Sequence, residues 1–228
     1  MKHIFNIATV MILFINTNIF AQNAPLKGSG KISTLRYSKT GYDKINLLDL
    51  EGKIEILIGQ PHYVVIDMDD NLAGRVEFEL NEAENELTIS MAGNKNGRLY
   101  LENINARIKI TMPEASVIKH RGNSNIVVSG ITGRYFRLEQ QGNGDAVLKG
   151  NIDELEISKT GNGDVLADNL DCISAGIHTI GNGDIKIKAS DSFGVKGTGN
   201  GDVIQVGKGS SRPFSNIIGN GKIIKNKL

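Results

Sequence analysis

The stretch GNGDVLADNLDCISAGIHTIGNGDIKIKASDSFGVKGTGNGD, residues 161–202, carries the tetrapeptide Gly-Asn-Gly-Asp at Gly161, Gly181 and Gly199. Reading outward, Gly142-Asn143-Gly144-Asp145 precedes it and Gly219-Asn220-Gly221-Lys222 follows, with a degenerate Gly122-Asn123-Ser124-Asn125 at the start of the series. The first glycines are 20, 19, 20, 18 and 20 residues apart. A period near that length marks a solenoid, in which each unit buries its apolar face only by stacking on the next. Of the 27 glycines, 19 lie from Gly122 onward. The excess is therefore a property of the repeat and not of the whole chain.

The flanks select the type of solenoid. Four residues before each first glycine stand Ile118, Leu138, Ile157, Ile177 and Val195, and six before stand Ser116, Phe136, Leu155, Ala175 and Phe193. Four residues after come Ile126, Ala146, Val165, Ile185, Val203 and Ile223. Polar residues such as Glu139, Ser158, His178 and Lys196 alternate with them, the period of two of a half-buried strand. Asn-Gly pairs supply the backbone conformations of a sharp corner, although they also close antiparallel hairpins. The apolar positions match across units in the same direction, which favours stacked parallel strands over a meander. The expected fold is all-β: a parallel β-helix with coils of about 20 residues and Asn-Gly corners.

Coils stacked roughly 4.8 Å apart would bring Asn143, Asn162, Asn182 and Asn200 into a column, with Gly144, Gly163, Gly183 and Gly201 beside them. Asparagine columns of this kind satisfy their amides along the stack. Next to them would run Asp145, Asp164, Asp184 and Asp202, whose like charges repel by about 1 kcal/mol per neighbouring pair in water. Such a row must either splay outward or accept hydrogen bonds from the N–H groups of its own corners. These twelve residues are read as structural corners, with no catalytic, cofactor or metal residue assigned.

Residues 1–21, MKHIFNIATVMILFINTNIFA, read as a signal peptide: a lysine, a short apolar run and Ala21 before the cut. The run is too short and too rich in asparagine for a bilayer span. Cys172, the single cysteine, is far from the cut, so the protein is expected to be exported to the periplasm or cell surface and not to be a lipoprotein. Flanked by small and apolar residues, it reads as a buried free thiol. Removing the leader takes away one lysine and brings the formal charge from +1 to zero, which argues against nucleic acid as a partner. Residues 22–39 form a polar lead-in and 40–228 a single domain, with the Gly-Asn-Gly-cornered coils over 116–228. Its first part is strand-like in KINLLDL, KIEILIG, HYVVIDM, RVEFEL, ELTISM and RIKITM.

The order of YDKINLLDLEGKIEILIGQPHYVVIDMDDNL (42–72), ELTISM (86–91), ARIKITMPEASVIKHRGNSNIVVSG (106–130) and the serial GNGD corners resembles the exported bacterial family called putative auto-transporter adhesin, head GIN domain. The resemblance runs over about residues 40–222 and implies a right-handed β-helix, export in a Gram-negative bacterium, and no established catalytic or binding residues. The repeats run to the chain end without the amphipathic strands of a membrane barrel. The polypeptide is thus read as the head-like part of an adhesin.

Two function classes follow. The first is a non-catalytic adhesin-like binding module whose partner is a surface glycan or envelope protein; an exposed final coil is compatible with a homo-oligomer. The second is a polysaccharide-active β-helix enzyme using aspartate pairs, against which stands the absence of long loops to wall a cleft. A calcium-stabilised structural solenoid is a further alternative. Calcium-binding nonapeptides recur about every nine residues, however, and each corner here offers one carboxylate. His62, His120 and His178 show no metal-ligand spacing, so no cofactor is expected.

Overall fold

A computed structural model describes residues 25–93 and 101–225; the expected export segment 1–21 and the tail 226–228 lie outside them. The chain is nearly all β and forms a β-solenoid. Its strands are β1 (Leu26–Lys27), β2 (Ile32–Tyr37), β3 (Lys44–Leu48), β4 (Lys53–Ile58), β5 (Tyr63–Asp69), β6 (Val76–Asn81), β7 (Glu86–Met91), β8 (Leu101–Glu102), β9 (Ala106–Met112), β10 (Val117–Gly122), β11 (Asn125–Ile131) and β12 (Tyr135–Gly142). They continue with β13 (Ala146–Gly161), β14 (Val165–Gly181), β15 (Ile185–Gly199), β16 (Val203–Gln205), β17 (Ser210–Ser211), β18 (Asn216–Gly219) and β19 (Ile223–Lys225). One helical turn, α1 (Asp70–Ala73), follows β5.

Two parallel stacks face each other. The first runs β7, β3, β10, β12, the C-terminal halves of β13, β14 and β15, then β18. The second runs β9, β4, β11, the N-terminal halves of β13, β14 and β15, then β16 and β19. Residues 143–145, 162–164, 182–184 and 200–202 carry the chain from the first stack to the second. On the return side the long strands stay paired through their bend, with Asn151 opposite Asp171 and Ile152 opposite Cys172. A register shift between Val147 and Lys149 takes up the curvature.

The coils are not stacked in chain order. Strand β3 lies between β7 and β10, and β4 between β9 and β11, so the chain steps over its own first coil at residues 113–116. That leaves β7 and β9 at one end, where bare N–H and C=O rows would invite edge pairing. Antiparallel strands cover them: β6 on β7, and β5 then β2 on β9. Within the lead-in, β2 is held by α1 and by Asp69, which is fully buried. Asp69 accepts from the backbone N–H groups of Gly30 and Asn105, each at 2.7 Å. A buried carboxylate holding two N–H donors is a strong anchor.

The core is a file of columns. Phe136, Leu155, Ala175 and Phe193 stack in register and are all fully buried, so large and small side chains share one channel. Each fully buried Val, Leu, Ile or Phe contributes about 1.5–3 kcal/mol, and the columns Ile118, Leu138, Ile157 and Ile126, Ala146, Val165, Ile185 extend this along the rod.

At the corners the backbones approach more closely than a side chain permits. Gly181 has φ +129°, and a Cβ there would overlap the carbonyl oxygen of Gly161. Gly163 has an ordinary φ, yet a Cβ there would overlap the carbonyl of Gly144. The first position needs glycine for conformation and contact, the second for contact alone. Gly181→Ala is therefore expected to destabilise the fold by about 3 kcal/mol, combining a left-handed residue with overpacking. Gly176→Ala, where a Cβ meets nothing within 4 Å, should be neutral or stabilising by up to about 1 kcal/mol. Urea melts of the two variants measure the contrast.

Candidate functional site

The asparagines form a continuous ladder. Each Nδ2 donates to the Oδ1 of the coil before: Asn143 to Asn123 (2.9 Å), Asn162 to Asn143 (2.8 Å), Asn182 to Asn162 (2.7 Å), Asn200 to Asn182 (2.6 Å) and Asn220 to Asn200 (2.8 Å). Beside it, each aspartate accepts from the next coil. The backbone N–H of Asp164 donates to Asp145 Oδ1 (2.9 Å), that of Asp184 to Asp164 (2.7 Å), that of Asp202 to Asp184 (2.8 Å) and that of Lys222 to Asp202 (2.8 Å). The donors thus come from the neighbouring coil and not from each aspartate's own corner, because stacking points every corner N–H down the column. Hydrogen bonds to a charged acceptor are worth about 1.5–3 kcal/mol, more than the repulsion of about 1 kcal/mol between neighbouring solvated carboxylates. The row is stable as a ladder, and one oxygen of each carboxylate is committed to it.

Behind the corners runs an interior polar column, absent from the apolar pattern of the flanks: His120, Gln140, Lys159 and Thr179, in register and buried. They stand two residues before each first glycine, on the same parity as the inward apolar positions, so the signal was present in the spacing. The partners of the first three are corner atoms. His120 Nε2 pairs with Ser124 Oγ (3.1 Å), Gln140 Nε2 donates to the Gly144 carbonyl, and Lys159 Nζ donates to the carbonyls of Gly161 (3.1 Å) and Gly183 (2.9 Å). Burial lowers the Lys159 pKa, while Asp164 and Asp184 across the corner wall act to raise it. Burial pushes His120 down to about 4.

The outward face of the first stack carries the chemistry open to solvent. One column reads Lys119, Glu139, Ser158, His178, Lys196 and Asn216. The column beside it holds Arg137 and Glu156, ion-paired at 3.8 Å, and then falls to bare backbone at Gly176 and Gly194. These glycines floor an open groove of about 430 Å³. Its far wall is the turn Arg212-Pro213-Phe214-Ser215, closed by the Ser215 N–H donating to the Arg212 carbonyl at 3.4 Å. Proline second and a positive φ third is the type II pattern, which normally takes glycine where Phe214 sits at φ +63°. Phe214 is 95% exposed. Among the described residues no carboxylate lines the groove and neither Arg212 nor Lys196 forms an ion pair.

Cys172 is buried on the return side with its thiol toward the Lys188 carbonyl at 3.6 Å, and desolvation pushes its pKa up to about 11. It packs as a small hydrophobe and lacks the thiolate character of a nucleophile. Among the described residues no group of three or more His, Cys, Asp or Glu side chains is placed to hold a metal ion.

The interior histidine carries a pH prediction. Folding holds His120 neutral with a pKa of about 4, against 6.5 when solvated, so below that solvated value the unfolded chain binds the extra proton. Its contribution is fully present above pH 6.5 and is lost as the pH falls toward 4, a loss of about 3 kcal/mol. Urea melts at neutral and acidic pH should show this loss in the wild type and a smaller one in His120→Gln.

Solved structures share this fold. A "putative adhesin" from Bacteroides fragilis is 22% identical, with 88% of this chain and 100% of that one covered at a TM-score of 0.62. A "putative lipid binding protein" from Parabacteroides distasonis is 18% identical over 90% and 100% of the two chains at 0.57. A "putative adhesin" from Parabacteroides merdae is 18% identical over 89% and 99% at 0.52. No curated protein matches the chain. Residues 41–209, most of the solenoid and its antiparallel end, match the family model itself, and the chain belongs to the family "Putative auto-transporter adhesin, head GIN domain".

Proposed function

We propose that the protein is a non-catalytic, exported binding module of the cell envelope, an adhesin-like rod that presents one sheet face to a surface glycan or envelope protein. The observation that carries this reading is how the polar groups are used. The asparagines and aspartates of the corners bond along the stack, and the buried His120, Gln140 and Lys159 bond to corner atoms. The outward columns of the sheets are what remains for a partner, and the first stack presents a mixed row of Lys119, Glu139, Ser158, His178 and Lys196. Family membership and the adhesin neighbours support the same reading. Residues 1–21 serve as the export signal in this proposal.

The reading is tested by incubating the exported chain with a panel of envelope polysaccharides and measuring both retention and new reducing ends. Retention without new ends is expected. Release of new ends would move the protein to the polysaccharide-active class. A calcium-stabilised rod is separated in the same samples: the melting temperature should be the same with millimolar calcium as with chelator, and a rise with calcium would replace structural corners by ion sites.

A further inference from the structure

We propose that the glycine-floored groove at Phe214 is the ligand site of this module, and that it takes a carboxylate-bearing saccharide. The inference rests on the binding-module reading and names its site and ligand class. Three features converge there, and none of them serves the fold.

The first is the floor. Gly176 and Gly194 occupy outward positions on paired interior strands, where glycine weakens a strand. Neither has a positive φ; a Cβ on Gly176 would meet nothing, and one on Gly194 would only touch the Arg212 side chain at 3.4 Å. Backbone geometry does not ask for glycine at either position, unlike the corners. Two bare positions in successive coils leave a flat shelf beside Lys196.

The second is the lip. Phe214 holds a left-handed backbone at φ +63°, and the residue is 95% exposed. Strain of this kind persists where the surroundings impose it and clusters at ligand sites. An exposed ring face, negative at its centre, suits the C–H face of a pyranose.

The third is charge. Among the described residues the Arg212 side chain reaches only Ser192 Oγ, at 3.4 Å from both Nε and Nη2, and Lys196 flanks the same groove without a carboxylate partner. On the return side, by contrast, Lys188 is paired with Asp171 at 2.9 Å. A guanidinium left open in a groove without acids fits a carboxylate bidentately. Under the groove β14 lies between β13 and β15, and the far side of β15 is taken by β17, the turn and β18, so these strands offer no free edge for a peptide to extend the sheet. Ring face plus carboxylate is the combination of a uronic or sialic acid residue, and about 430 Å³ is in the range of small-molecule sites.

The test is calorimetric titration of the full chain with an oligogalacturonate, its methyl ester, a sialyl-oligosaccharide and a glutamate-rich peptide. Binding of at least one acidic saccharide is expected, weakened about tenfold or more by esterification. Phe214→Gly, Arg212→Gln and Gly176→Val should each weaken it by a similar factor. Phe214→Gly and Gly176→Val should melt at or above the wild-type temperature, which separates loss of the site from loss of the fold. Equal affinity for acid and ester, wild-type affinity in these variants, binding of the peptide alone, or no binding by any probe would each overturn the assignment. Retention on envelope polysaccharide that survives all three substitutions would remove the groove yet keep the binding module. Absence of retention in the wild type would remove the module itself.

Discussion

The structure depends on one close approach: the corner backbones stack with glycine over glycine, each carbonyl lying where the next coil's Cβ would be. That contact holds the coils in register at every corner. Register in turn lets each asparagine amide meet its neighbour at 2.6–2.9 Å and each aspartate meet the N–H of the next coil. With a side chain at either glycine, the amide ladder, the carboxylate ladder and the inward apolar columns would have to separate together.

Polar groups are used along the stack to an unusual degree. A solvated row of four carboxylates would oppose assembly, yet each accepts a hydrogen bond worth more than the repulsion it suffers. The inward His120, Gln140 and Lys159 extend the same economy to the other side of the corner, where they meet corner oxygens that apolar side chains would leave without partners. Burying a cation at Lys159 is expensive. Two carbonyl acceptors and the nearby charges of Asp164 and Asp184 offset that cost.

Function is best sought where residues act against stability. Gly176, Gly194 and Phe214 each forgo something the fold would prefer, and they do so around one groove whose two cations have no ion-pair partner among the described residues. The corner glycines look similar in a composition count but have the opposite meaning, since the fold cannot do without them. Both classes of glycine contribute to the same excess, and only the space around each Cβ separates them.

The repeat period, the alternation before each glycine and the columns they imply were legible in the sequence, because stacking with a fixed rise turns spacing directly into contacts. The interior polar column was legible too, on parity, but polar residues at inward positions run against expectation. The insertion of β3 and β4 between later strands and the antiparallel cover on β7 and β9 were not legible, since strand patterning reports which face is buried and not which strand lies beside it. The groove was equally hidden. It joins two positions a coil apart to a turn in the next coil, with nothing local to mark them as neighbours. Sequence alone determined the solenoid because its contacts recur at one separation; tertiary structure decided the capped end and the groove because their contacts occur once.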